Sequence, residues 1–215
     1  MKDKTAEFFN SYSEKFDAIY GNRNNAFRKL INNLFRQTMV ERFQKTLATC
    51  QPVAGKTVLD VGCGPGHYGI ALAKKGVKDV LGIDFAPKMI DIAKQHAKLN
   101  GVDNICRFEI ADFFELKNDM MYDYIVIMGF MDYVKNPLSM IKKAAALSKD
   151  KVVFSFPCDN GFLAWQRKFR YRFKCPLYLY NEKQLKDLFA QLKGWNVNIE
   201  KLSRDYFVVM EKDSL

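Results

Sequence analysis

Residues 58–66 read Val-Leu-Asp-Val-Gly-Cys-Gly-Pro-Gly, and a helical run through Ile70, Ala71, Leu72, Ala73 and Lys74 follows before a stop at Gly76. Few folds accommodate an apolar strand that carries an acid, then three alternating glycines, then a helix. Glycines at this spacing bring backbone N–H groups close to a ligand where any Cβ would collide. The helix behind them starts with donors that have no intrahelical partner. The stretch therefore predicts a nucleotide-like or amino-acid-like ligand at the carboxyl end of a strand.

The glycines alone leave the ligand open, because Gly64-x-Gly66-x-x-Gly69 also satisfies the dinucleotide fingerprint. Asp60, two residues ahead of Gly62, argues against a pyrophosphate there and favours a ligand bearing an ammonium group. Val-Leu-Asp-Val-Gly-Cys-Gly-Pro-Gly resembles motif I of the class I S-adenosylmethionine-dependent methyltransferases. That resemblance implies S-adenosylmethionine as cofactor and S-adenosylhomocysteine as product, with Asp60, Gly62, Gly64 and Gly66 in the binding site.

Strand and helix patterns alternate from residue 57 onward. Strands are expected at 57–61, 79–84, 105–111, 122–128, 152–156, 196–203 and 206–210, and helices at 67–75, 87–99, 137–147 and 182–192. Pro87 and Pro137 suit first helical turns, Gly101 and Gly194 suit helix ends, and Asn181-x-x-Gln184 reads as a capping box. Such alternation predicts an α/β fold with a doubly wound, mostly parallel seven-stranded sheet closed by an antiparallel C-terminal hairpin strand. Ahead of it, Ala26–Leu47 reads as an amphipathic helix, and residues 9–20 resemble the N-terminal helical lid of small-molecule members of the family. The expected organisation is one methyltransferase domain: lid 1–51, cofactor core 52–157, basic-aromatic insertion 158–180, and C-terminal helix and hairpin 181–215.

Asp84 ends the second strand, and a carboxylate there can accept from both ribose hydroxyls. An acid that caps the Pro87 helix is the competing role for it. By resemblance, Phe85 packs on the adenine, and Ala111, Asp112 and Phe113 read its edge. Met128 and Gly129, after the fourth strand, border the methionine part at the topological switch point. Asp132 and Tyr12 are the candidate catalytic groups if the acceptor is a hydroxyl or amine, whereas a carboxylate acceptor needs no base. His67 suits a neutral structural role, because a positive charge is disfavoured in the first turn of a helix. Tyr133, Trp165, Arg170 and Tyr178 are the candidate acceptor-binding residues, and Tyr133 or Tyr12 could face the sulfonium.

Charge and composition narrow the rest. The net charge of +10 is concentrated in residues 22–45 and in 161–180, the latter holding Arg167, Lys168, Arg170, Arg172 and Lys174 among seven aromatics and no acid. That mixture suits a small, anionic acceptor, with O-methylation favoured. RNA is the alternative substrate, and a non-catalytic Rossmann-like binding protein the third reading. Five scattered cysteines without a Cys-x-x-Cys pair indicate neither a disulfide framework nor a metal site. Cys158 after the fifth strand lacks the companion Pro-Cys of RNA cytosine methyltransferases. With no run near the roughly 20 apolar residues of a membrane span and no secretory-type leader, a cytoplasmic protein is expected.

Overall fold

The computed structural model describes residues 26–117, 120–160 and 176–213, with side chains in the first helix described from residue 37. Helix α1 (Ala26–Thr49) leads to strand β1 (Thr57–Val61). Then come α2 (His67–Lys74), β2 (Asp79–Asp84), α3 (Pro87–Leu99) and β3 (Cys106–Ile110). The second half runs β4 (Tyr122–Ile127), α4 (Pro137–Leu147), β5 (Ser148–Pro157), α5 (Glu182–Phe189), β6 (Trp195–Lys201) and β7 (Asp205–Lys212). The lid stretch at residues 9–20 lies outside the described residues.

The seven strands form one sheet in the order β3-β2-β1-β4-β5-β7-β6. Strands β1 to β5 pair in parallel, and β7 runs antiparallel to both neighbours, so six strands point one way and one is reversed. The chain winds outward through β2 and β3, then returns to place β4 on the other side of β1. The crevice beyond the β1 and β4 ends is the switch point where α/β sheets bind ligands.

Period-two alternation divides the core between the two faces. Leu59, Val61, Ile125, Ile127, Phe154 and Phe156 join the buried cluster shared with α4 and α5. Val58, Val80, Tyr124, Val126 and Val153 join the cluster shared with α2 and α3. Phe156 meets Tyr180 and Phe189 edge-on at 5.1 and 5.8 Å between centroids, contacts worth about 0.5–1.5 kcal/mol each beyond their burial. Asn136 caps α4 through Ser139 N–H, and Asn181 with Gln184 forms the expected capping box on α5.

Two boundaries differ from the sequence expectation by more than two residues. Strand β5 starts at Ser148, directly after α4, because Lys149, Asp150 and Lys151 hide a strand end whose charges are paired: Lys151 with Glu211, and Asp150 with Lys56. Helix α5 ends at Phe189, and Gly194 stands at the entry to β6, where its carbonyl accepts from Asp213 N–H.

Candidate active site

The glycine turn is stitched to the end of β2. Gly62 and Cys63 N–H both donate to the Ile83 carbonyl, at 2.8 and 3.0 Å, and Gly64 N–H donates to Asp84 Oδ2 at 3.0 Å. Beneath the turn lies the Phe108 ring of β3. An added Cβ would come within 2.4 Å of that ring at Gly82 and 2.7 Å at Gly66. Gly69 brings α2 equally close to the sheet, since its Cβ would fall 2.8 Å from Val80 Cγ1. These glycines serve packing, as the third position of such a motif requires. Gly64 shares the left-handed φ of Gly66, at +51°, but a Cβ there would meet nothing within 4 Å. The turn therefore presents its open side at Gly64.

Asp60 works from behind this turn. It is 1% exposed and its Oδ2 accepts from Gly69 N–H at 3.1 Å. Burial pushes its carboxyl up to about 7, the Gly69 hydrogen bond opposes that, and the Asp84 charge adds to it. Through Oδ2 the Asp60 side chain ties α2 to β1.

Asp84 combines the two roles weighed for it. Oδ1 accepts from Ala86 N–H at 2.9 Å, which fixes the entry to α3, and Oδ2 holds Gly64. A carboxylate has about four lone-pair sites, so roughly two remain for a diol. Burial raises its pKa, against the Ala86, Gly64 and Phe85 N–H groups. Phe85 is half-buried beside it, and Ala111 N–H reaches the Asp84 carbonyl at 3.1 Å. Asp112 is partly exposed and accepts from Phe114 N–H, whereas the Phe113 side chain is buried in the core, leaving its backbone at the strand end. An open turn, a diol-sized acceptor and a half-exposed ring fit the nucleoside end of S-adenosylmethionine.

Beyond β4 the site changes character. Met128 is buried, and Gly129, at a φ of +69°, donates its N–H to Ser155 Oγ at 2.7 Å. The same hydroxyl accepts from Arg42 Nη1 at 3.2 Å. Arg42 reaches across from α1, 12% exposed, and pairs Nη1 with Asp205 Oδ2 at 3.0 Å and Nε with Tyr68 Oη at 3.2 Å. Burial works against its charge, but Tyr68, Asp205 and Asp132 outweigh that and hold the guanidinium firmly protonated. Its Nη2 makes no hydrogen bond among the described residues and lies 3.6 Å from where a Gly129 Cβ would stand. A buried cation with spare donors at the β4 end is built to receive a carboxylate.

Sequence reading assigned Arg42 only to the basic excess of residues 22–45. The available signal was its place among Met39, Phe43 and Leu47 on the apolar stripe of α1, where a charge demands partners. Asp132 is buried in the short 3-10 turn Met131–Tyr133, within electrostatic reach of Arg42. Its carbonyl accepts from Tyr178 N–H at 2.8 Å, so Asp132, the half-buried Tyr133 and Tyr178 do come together. Tyr12, Trp165 and Arg170 lie outside the described residues. Cys158 is buried, paired through its backbone to Arg204 and Tyr180. His67 stacks on His96 at 5.7 Å, on the side of α2 that faces α3. Among the described residues no cluster of acids, histidines and cysteines could hold a metal ion.

The family profile described as a methyltransferase domain, Methyltransf_31, matches residues 52–202. The ubiquinone biosynthesis O-methyltransferase of Actinobacillus pleuropneumoniae is 31% identical over 154 residues, 70% of this chain and 63% of that protein. Its namesake from Coxiella burnetii is 40% identical over 104 residues, 47% of this chain and 43% of the relative. The matched stretch thus spans less than two thirds of either relative. Among solved structures, magnesium protoporphyrin IX methyltransferase from Synechocystis PCC 6803 with bound SAH superposes with a TM-score of 0.77 at 22% identity, covering 99% of this chain and all of that one. The DhpI–SAH complex gives 0.72 at 13%, covering 100% and 98%. With sheet order, glycine turn and profile in agreement, the chain belongs to the class I S-adenosylmethionine-dependent methyltransferases.

Proposed function

We propose that the protein transfers the methyl group of S-adenosylmethionine to an oxygen of a small, acidic acceptor. The observation that carries this reading is the polarity of the site. An acid with spare acceptor capacity, Asp84, stands at one end, and a buried guanidinium, Arg42, stands beside Gly129 at the other. A ligand with a diol at one end and a carboxylate at the other suits that pair.

When bound, the cofactor supplies an electrophilic methyl on a sulfonium. The protein's own share is alignment and exclusion of water. Asp84 and Gly64 hold the nucleoside end, Phe85 covers it, and Arg42 with Gly129 fixes the amino-acid end. Asp132 and the Tyr133 and Tyr178 side chains then border the acceptor; Tyr12 as a second catalytic group and Trp165 and Arg170 as further acceptor contacts belong to the same reading. A hydroxyl acceptor would pass its proton to Asp132; a carboxylate acceptor would need no base. The basic residues between 161 and 180 support an anionic acceptor, and relatives named for O-methylation support oxygen as the methylated atom. The lid, core, insertion and hairpin segments keep these roles within one domain.

Incubation with radiolabelled S-adenosylmethionine and paired acceptors, phenolic acids against their neutral amides, tests this. The acids are expected to turn over with at least about tenfold higher kcat/KM, as one lost charged contact would give. Equal turnover of acid and amide would remove the anionic requirement, and label recovered on nitrogen or carbon would remove O-methylation. The interleaved aromatics and basic residues of 161–180 also suit single-stranded RNA. Label incorporated into RNA, with binding that survives raised salt, would favour that reading.

A further inference from the structure

Phe130 follows Gly129 and lays its ring against the glycine turn. A Cβ on Gly62 would fall 2.4 Å from Phe130 Cδ2, so only a glycine lets the ring lie there. The ring is half-buried and stands 6.4 Å from Phe85, tilted by 58°. It thus occupies the ground between the two ends of the site, with Phe85 and Asp84 on one side and Gly129 with Arg42 on the other. In S-adenosylmethionine the sulfur joins ribose to the amino-acid chain and bears the positive charge. It is the part that falls between those ends.

We propose that Phe130 is a specificity-determining residue that recognises this positive sulfur, so that the ring contributes more to holding the charged cofactor than to holding the neutral thioether product. The inference rests on the placement of the cofactor between Asp84 and Arg42. An aromatic face attracts a cation through its quadrupole and has no such attraction for a thioether. Loss of one charge on methyl transfer would therefore loosen the product at this ring and assist its exchange.

The test is calorimetric titration with S-adenosylmethionine and with S-adenosylhomocysteine, which needs no acceptor. Phe130→Leu keeps an apolar side chain and removes the quadrupole. It is expected to weaken the charged ligand about fivefold to tenfold while moving the neutral one less than twofold. Phe130→Tyr should restore the ratio, and trifluorinated phenylalanine at 130, with the same shape and a depleted ring face, should reproduce the loss. Equal weakening of both ligands would make the ring a packing contact, and tighter binding of both would make it an obstruction; either result overturns the proposal. Asp84→Ala separates the underlying placement: if that variant binds both ligands as the wild type does, the cofactor lies elsewhere. If it weakens both while Phe130→Leu leaves their ratio unchanged, the placement stands and the role of Phe130 fails.

Discussion

The two ends of the site are assembled in opposite ways. The nucleoside end comes from one continuous unit, β1 to the start of α3, and its bonds run largely through backbone: Gly62 and Cys63 to Ile83, Gly64 and Ala86 to Asp84. The far end gathers Arg42, Tyr68, Gly129, Ser155 and Asp205 from five separate elements and joins them mainly through side chains. A site made locally is robust in sequence and specifies a shared ligand. A site made from distant side chains ties several elements together, so a change at one of them is felt by the others.

The contrast can be broken most severely at Arg42. Arg42→Met leaves Asp205 buried beside an apolar chain, and loss of one partner of a buried pair costs about 3–5 kcal/mol. At about 2–4 °C per kcal/mol for a chain of this size, the melting temperature should fall by roughly 6–20 °C. The double change Arg42→Met with Asp205→Asn should recover part of that loss, and a thermal scan showing no recovery would deny that the charges act as a pair.

At the local end the largest effect is steric. Gly69→Ala would set a methyl group 2.8 Å from Val80 Cγ1, and overpacking of this kind costs about 1–3 kcal/mol. Urea unfolding at constant m-value would record it. Asp84→Ala is aimed at the ligand rather than the fold: cofactor affinity should drop at least about tenfold, roughly 1.4 kcal/mol, in a calorimetric titration. Unchanged affinity would reduce Asp84 to the cap of α3.

Asp60 sharpens the contrast through pH. Its carboxyl is raised from 3.8 unfolded to about 7 folded, so the folded state holds the proton more tightly. Its contribution to stability is greatest below about pH 4, declines as pH rises toward 7, and levels off above that. Asp60→Asn keeps an acceptor for Gly69 N–H and removes the ionisation. The variant should lose this part of the decline, gaining a few degrees relative to wild type at pH 8 and little at pH 4. Parallel melting curves across that range would show that Asp60 does not titrate within the fold.

This division explains what could be read in advance. The alternation of strands and helices, the antiparallel C-terminal hairpin, the Asn181–Gln184 box and the residues 57–86 were legible because each depends on neighbours in sequence. The start of β5 was not, since Lys149, Asp150 and Lys151 look like a loop until Lys56 and Glu211 arrive from other elements. Arg42 was illegible for the same reason: its partners Ser155 and Asp205 lie 113 and 163 residues away. Asp60 shows the converse limit. Its position in the motif was plain, but whether its carboxylate faced the open side or Gly69 depended on how α2 packs.

The place of β7 between β5 and β6 has a consequence for how the molecule is made. As the chain leaves the ribosome, the cofactor turn has its β2 partner by residue 86, whereas the apolar edge of β5, Val152–Phe156, stays unpaired until β7 inserts along it. Asp205, the first residue of that strand, delivers the counter-charge for Arg42 in the same movement. Closing the sheet edge and delivering the counter-charge to Arg42 are one event, so a nascent chain forms the glycine turn and its β2 contacts before the end of the site that gathers Arg42, Ser155 and Asp205 is finished.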